Sequence, residues 1–171
     1  MTLRTNARIA GVTFLIYIVA GVATLALSGR PHATDVLSLL TSFAALVLGV
    51  TLYAITREQD PDLAMLGLTC RVVESLPGHA GAVFFAVGSA LFSWLLLRGR
   101  MIPAALAWLG VVASILLVVA LPLQLAGFVE VGFFAGPVGW LMWLPMLVFE
   151  VVLALWLLIK GVATPARLRS V

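Results

Sequence analysis

Long uncharged apolar runs constrain this chain more than any other feature. Ile9 to Leu27, Val36 to Ile55 and Val138 to Ile159 each carry about the 20 residues needed to cross a bilayer. Only Glu150 interrupts them with a charge. Inside lipid every backbone N–H and C=O must be satisfied within the protein, so only helices and closed barrels can span. The runs are continuous and do not alternate apolar with polar at period two, which excludes a barrel. Composition agrees: 63% of the 171 residues are hydrophobic and 10% charged, with a mean hydropathy of +1.20. A soluble domain is about half apolar and a quarter charged, and disorder needs the opposite bias. The expected fold is all-α, a polytopic integral membrane helical bundle forming a single transmembrane domain over residues 1–171.

The spans are read at approximately 9–27, 36–55, 63–76, 80–97, 101–121 and 138–159. A cleavable signal peptide is the alternative for the first, because Ala26 and Ser28 loosely mimic a cleavage site. The run is longer than a usual signal core, which favours a span. Leu63 to Leu97 is too long for one crossing, and Pro77-Gly78 divides it into a short piece and a full one. Basic residues favour cytoplasmic loops. Six spans with a cytoplasmic N-terminus place eight of the ten Lys and Arg residues inside. Five spans would leave six of them outside. Six are therefore expected, the third short, with both termini cytoplasmic in an inner (cytoplasmic) membrane. Tyr53, Trp94, Trp140, Trp143 and Trp156 fall near span ends, as in an interfacial belt.

The net charge of +3 does not mark a nucleic-acid partner. The basic residues lie at span ends as singles and pairs, where they anchor to anionic lipid. Cys70 is the sole cysteine, so no internal disulfide or thiolate cluster exists. No HExxH set, phosphate loop, nucleophile elbow or dinucleotide fingerprint occurs. No metal site and no cofactor are expected.

Three ionisable residues remain inside spans: Arg71, Glu74 and Glu150. Each costs about 2.5 to 3.5 kcal/mol near a helix centre on insertion scales, so each needs a partner or a polar cavity. Arg71 and Glu74, spaced i,i+3, share a helix face and can pair. Arg71 lies nine residues from Asp62, roughly 13 Å along a helix, and Glu150 lies ten from Lys160, roughly 15 Å. Both measure from the same side, so the two groups are expected at one depth. A five-donor guanidinium shared by two carboxylates is the resulting hypothesis. One of those carboxylates would then be free to carry a proton. The plainer alternative is an Arg–Glu pair that only fastens a short helix to its neighbour.

His79, after the Pro77-Gly78 break, and Gln124, after Pro122, are weaker candidates. The first reads more simply as an interfacial histidine, the second as a cap for an open carbonyl. Tyr17, Ser38 and Ser42 read as polar glue between helices. Pro145, five residues before Glu150, is expected to kink the last span. Gly110 and Ser114 form a small-xxx-small pair of the kind that arises by chance in apolar sequence.

Four segments carry a family resemblance: ARIAGVTFLIYIVAGV at the start, RVVE in the third span, LLRGRMIPAALAWLGVV, and FEVVLALWLLIKGV at the end. In this order they resemble a bacterial family of membrane proteins labelled domain of unknown function 4386. The resemblance implies the multi-spanning architecture and points to Arg71, Glu74 and Glu150, but implies no reaction. The sequence is therefore read first as a bundle that binds or moves a lipid or small apolar molecule at a buried Arg–Glu site. Two alternatives stand beside it. One is an integral-membrane enzyme using a carboxylic acid on an apolar, isoprenoid-like substrate; the other is a structural or accessory subunit. The bilayer is the expected surrounding, and the small size favours a homo-oligomer.

Overall fold

A computed structural model describes residues 2–27, 29–76, 81–128 and 136–163. Six helices account for nearly all of them: α1 (Leu3–Ala26), α2 (Pro31–Thr56), α3 (Pro61–Glu74), α4 (Gly81–Arg98), α5 (Ala104–Leu125) and α6 (Pro137–Ile159). No strand occurs among the described residues. Several helices extend beyond the apolar windows that announce them, because helix ends are set by caps as well as by hydropathy. Thr2 accepts the Thr5 N–H and starts α1 six residues ahead of the apolar run. Prolines occupy the first turn of α2, α3 and α6, where a missing N–H costs nothing. Asp60 caps the Leu63 N–H at 3.2 Å. Gly161, at φ 73°, closes α6 in the left-handed region where a side chain is disfavoured. Pro122 and Pro145 sit within α5 and α6, which continue through them.

Each helix packs on its chain neighbours, and α6 returns against α1, so the six form a closed ring. Successive helices run antiparallel. At one end Arg98 pairs with Asp60 at 3.3 Å, and the Ala163 N–H donates to the Met101 carbonyl at 2.9 Å. At the other, the start of α4 lies against the end of α3: a Cβ at Gly81 would stand 3.2 Å from the Glu74 carbonyl oxygen. Five helices are long and apolar enough to cross a bilayer. The exception is α3, whose 14 residues span about 21 Å against a hydrocarbon core of about 30 Å. The expected short third segment is thus a distinct helix, running between α2 and α4.

The exterior is apolar and the interior holds the polar side chains. Val19, Leu39, Phe43 and Leu141 are at least 60% exposed, whereas Arg71, Ser89, Ser93, Ser114 and Glu150 are buried. Water would penalise that outer surface and lipid does not, so the protein is a polytopic helical membrane bundle. Small residues let the helices approach. A Cβ at Gly11 on α1 would fall 2.7 Å from Leu158 Cγ and 2.8 Å from the Ala154 carbonyl on α6. Gly110 belongs to this set and is no chance match, since it faces Phe149 of α6 and Ser93 of α4 at the junction of three helices.

Candidate functional site

The last turn of α3 carries the densest polar contacts of the interior. Arg71 is 1% exposed. Its stem fits because α2 and α4 present glycines there: a Cβ at Gly49 would stand 2.9 Å from Arg71 Cβ, and one at Gly88 would stand 3.1 Å from Cys70 Cβ. The i,i+3 spacing brings the Glu74 carboxylate over the guanidinium. Nη1 donates to Oε2 at 2.9 Å and to Oε1 at 3.3 Å. Nη2 donates to Ser89 Oγ of α4 at 3.0 Å. From α1, the Tyr17 hydroxyl donates to Glu74 Oε1 at 2.6 Å. The guanidinium also lies 5.0 Å from the Phe85 ring centre and 5.9 Å from that of Tyr17, within cation–π range. Phe85 stacks between Tyr17 and Trp143, with 6.1 Å between centroids on either side.

Glu150 enters from α6 and is 5% exposed. With Arg71, Ser89, Ser93, Phe149 and Leu153 it borders a void of about 10 Å³, room for about one water. Arg71 Nε and Glu150 Oε1 are both buried without a hydrogen-bond partner among the described residues. Arg71 and Glu150 thus face one space, but no Arg71–Glu150 ion pair within 4.0 Å forms among the described residues. Glu74 on the same helix takes Nη1 and Ser89 takes Nη2, so direct sharing of the guanidinium by two carboxylates is not seen.

Two larger cavities reach the cluster from the end of the ring where α3 stops and α4 begins. One, of about 260 Å³, is lined by Ser42, Glu74, Gly81 and Ala82. The other, of about 280 Å³, is lined by Ile18, Gly21, Leu25, Leu147 and Glu150. Tyr17, Thr41, Phe85 and Trp143 belong to both walls. A Cβ at Gly21 would meet nothing within 4 Å. Helices α1 and α6 therefore touch at Gly11 and leave space by Gly21, nearly three turns later.

A family model described as a domain of unknown function, number 4386, matches residues 76–161, half of the chain. The chain belongs to this family. The matched region covers α4, α5 and α6 and holds LLRGRMIPAALAWLGVV and all but the last residue of FEVVLALWLLIKGV among the four resembling segments. Within the site it supplies Phe85, Ser89, Trp143 and Glu150, while Tyr17, Arg71 and Glu74 precede it. No curated protein and no solved structure matches the chain.

Of the weaker candidates, Tyr17 joins the cluster directly. Gln124 is exposed at the end of α5, where its backbone carbonyl accepts the Gly127 N–H at 2.9 Å, and it takes no part in the site. His79 and the Pro77-Gly78 break lie outside the described residues. Ser89, Phe85 and Thr41 escape a reading of the sequence. Ser89 and Ser93, spaced i,i+4 in an otherwise apolar helix, are the one signal that marks a polar face on α4. Trp143, read as part of an interfacial belt, also stacks on Phe85 and walls both cavities. Among the described residues no group of three His, Cys, Asp or Glu side chains is placed to hold a metal.

Proposed function

We propose that this protein binds an amphipathic small molecule or lipid between α1 and α6, with the polar end of the ligand at the Arg71–Glu74–Glu150 cluster. The observation that carries this reading is the approximately 280 Å³ cavity, whose wall is apolar except near Tyr17, Thr41 and Glu150. Ligand sites are typically mostly apolar with a few convergent polar groups. Beyond Glu150 the interior closes on Phe14, Leu52, Phe92 and Leu96, so the geometry supports binding from one end. Transport would require a second arrangement, open at the other. With the N-terminus on the cytoplasmic side of a bacterial inner membrane, the cavities face the outer half of the bilayer.

Photolabelling of the purified protein with a diazirine-bearing long-chain amphiphile tests the reading. Labelling is expected on residues of α1 and α6 around Gly21 and Leu147. Gly21→Leu, whose Cβ would meet no heavy atom within 4 Å, adds bulk to the cavity wall and should abolish it while leaving thermal stability unchanged. Labels spread over the outer apolar faces and indifferent to Gly21→Leu would point to a purely structural subunit.

A further inference from the structure

We infer that the cavity between α1 and α6 selects a cationic amphiphile, a primary ammonium group on an apolar chain, seated against Glu150. This rests on the binding reading above and adds the sign and chemistry of the ligand. Formal charge points there first. Arg71 contributes one positive charge, and Glu74 and Glu150 one negative charge each, so the ionised cluster carries one negative charge in excess. Among the described residues Arg71 is the only cation beside Glu150, and it is already paired with Glu74. A buried charge needs a partner, and here a ligand can supply it.

Hydrogen-bond inventory points the same way. The hydroxyls that line the cavity are already donated: Tyr17 to Glu74 at 2.6 Å, Thr41 to the Leu37 carbonyl at 2.9 Å. Arg71 does not line it. Glu150 does line it, and one of its two carboxylate oxygens, Oε1, is buried without a donor. The cavity therefore offers the carboxylate of Glu150, whose negative charge an ammonium group satisfies and an ionised carboxylate or phosphate does not. Tyr17, Phe85 and Trp143 complete a wall suited to cations; the first two already face the Arg71 guanidinium. The apolar remainder, from Ile18 to Leu25 and at Leu147, takes a hydrocarbon chain.

Equilibrium dialysis of the full chain in dodecyl maltoside, against empty micelles, tests this with three probes of equal length: decylammonium, decanol and decanoate. Decylammonium should bind with a Kd about tenfold below that of decanol, equivalent to about 1.4 kcal/mol, and decanoate should bind weakest. Glu150→Gln should narrow the ratio of decylammonium to decanol to about twofold. Should this variant not fold, selectivity of the unaltered protein among the probes still decides. Competition by phosphatidylethanolamine would identify a lipid headgroup as the ammonium source; its absence would identify a free lipophilic amine. Equal binding of decanol or decanoate, or a tenfold preference retained in Glu150→Gln, overturns the inference and leaves the binding reading intact. If none of the three probes binds, both fall.

Discussion

Replacing Glu74 with Leu should destabilise the bundle far more than replacing Arg71 with Met, although the two residues form one ion pair. Glu74 holds the Arg71 guanidinium at 2.9 and 3.3 Å and accepts the Tyr17 hydroxyl at 2.6 Å. Without it, a guanidinium that is 1% exposed keeps only the Ser89 hydroxyl as acceptor. Arginine cannot neutralise itself by losing a proton. Insertion scales set an uncompensated Arg at about 3 kcal/mol, and breaking a buried pair in soluble proteins costs about 3 to 5 kcal/mol. The orphaned Tyr17 hydroxyl adds about 1 kcal/mol or more. Glu74→Leu should therefore cost about 4 kcal/mol. Arg71→Met leaves a carboxyl group that can take up a proton and keep its Tyr17 contact, so about 2 kcal/mol is expected. The double variant removes both charges and should also lie within about 2 kcal/mol of the parent, because a buried pair replaced by apolar groups is often neutral. Unfolding in mixed dodecyl maltoside and dodecyl sulfate micelles, followed by tryptophan fluorescence, measures all three. Additive costs in the double variant, or a larger loss for Arg71→Met than for Glu74→Leu, would refute this account of the pair.

Three further outcomes follow from the packing and the ring order. Gly110→Ala places a Cβ 2.5 Å from Phe149 and 2.6 Å from Ser93 Oγ, at a buried junction of three helices. A loss of about 1 to 3 kcal/mol in the same micelle titration is expected, and no loss would mean that α5 is not so tightly seated. Asp60→Ala should cost about 1 kcal/mol through its cap on Leu63. Arg98→Ala, which removes only a half-exposed ion pair, should cost less than about 0.5 kcal/mol; equal losses in the two unfolding curves would assign the effect to the pair. With Cys70 buried, single cysteines introduced at Arg30 and Arg57 should react with a membrane-impermeant maleimide from opposite sides of sealed vesicles, and labelling from one side would rule out a crossing by α2.

The polar interior shows how far a sequence reading reaches. Arg71 and Glu74 are recognisable because a charge inside an apolar run is costly and because i,i+3 spacing is a local rule that holds in any helix. Glu150 stands out by the same cost. Its relation to Arg71 was legible only as depth along two helix axes, and depth does not specify distance across a ring. Ser89 occupied the guanidinium first, and Glu150 came to face a small void and the larger cavity. Trp143 illustrates the opposite limit. Position near a helix end implies a belt, but which way a side chain points depends on how α6 is rotated against α1 and α4.

By itself the amino-acid order determined a helical membrane bundle, the approximate helix positions and the short third helix, because apolar length, charge scarcity and proline breaks act locally along the chain. Only the tertiary structure decided that the six helices close into a ring, that Tyr17 and Ser89 complete the Arg71–Glu74 pair, and that α1 and α6 part beside Gly21. Those features depend on contacts between residues as far apart as Tyr17 and Glu74 or Gly11 and Leu158. They are set by which small residues let backbones approach, a property of pairs of helices that no single helix carries.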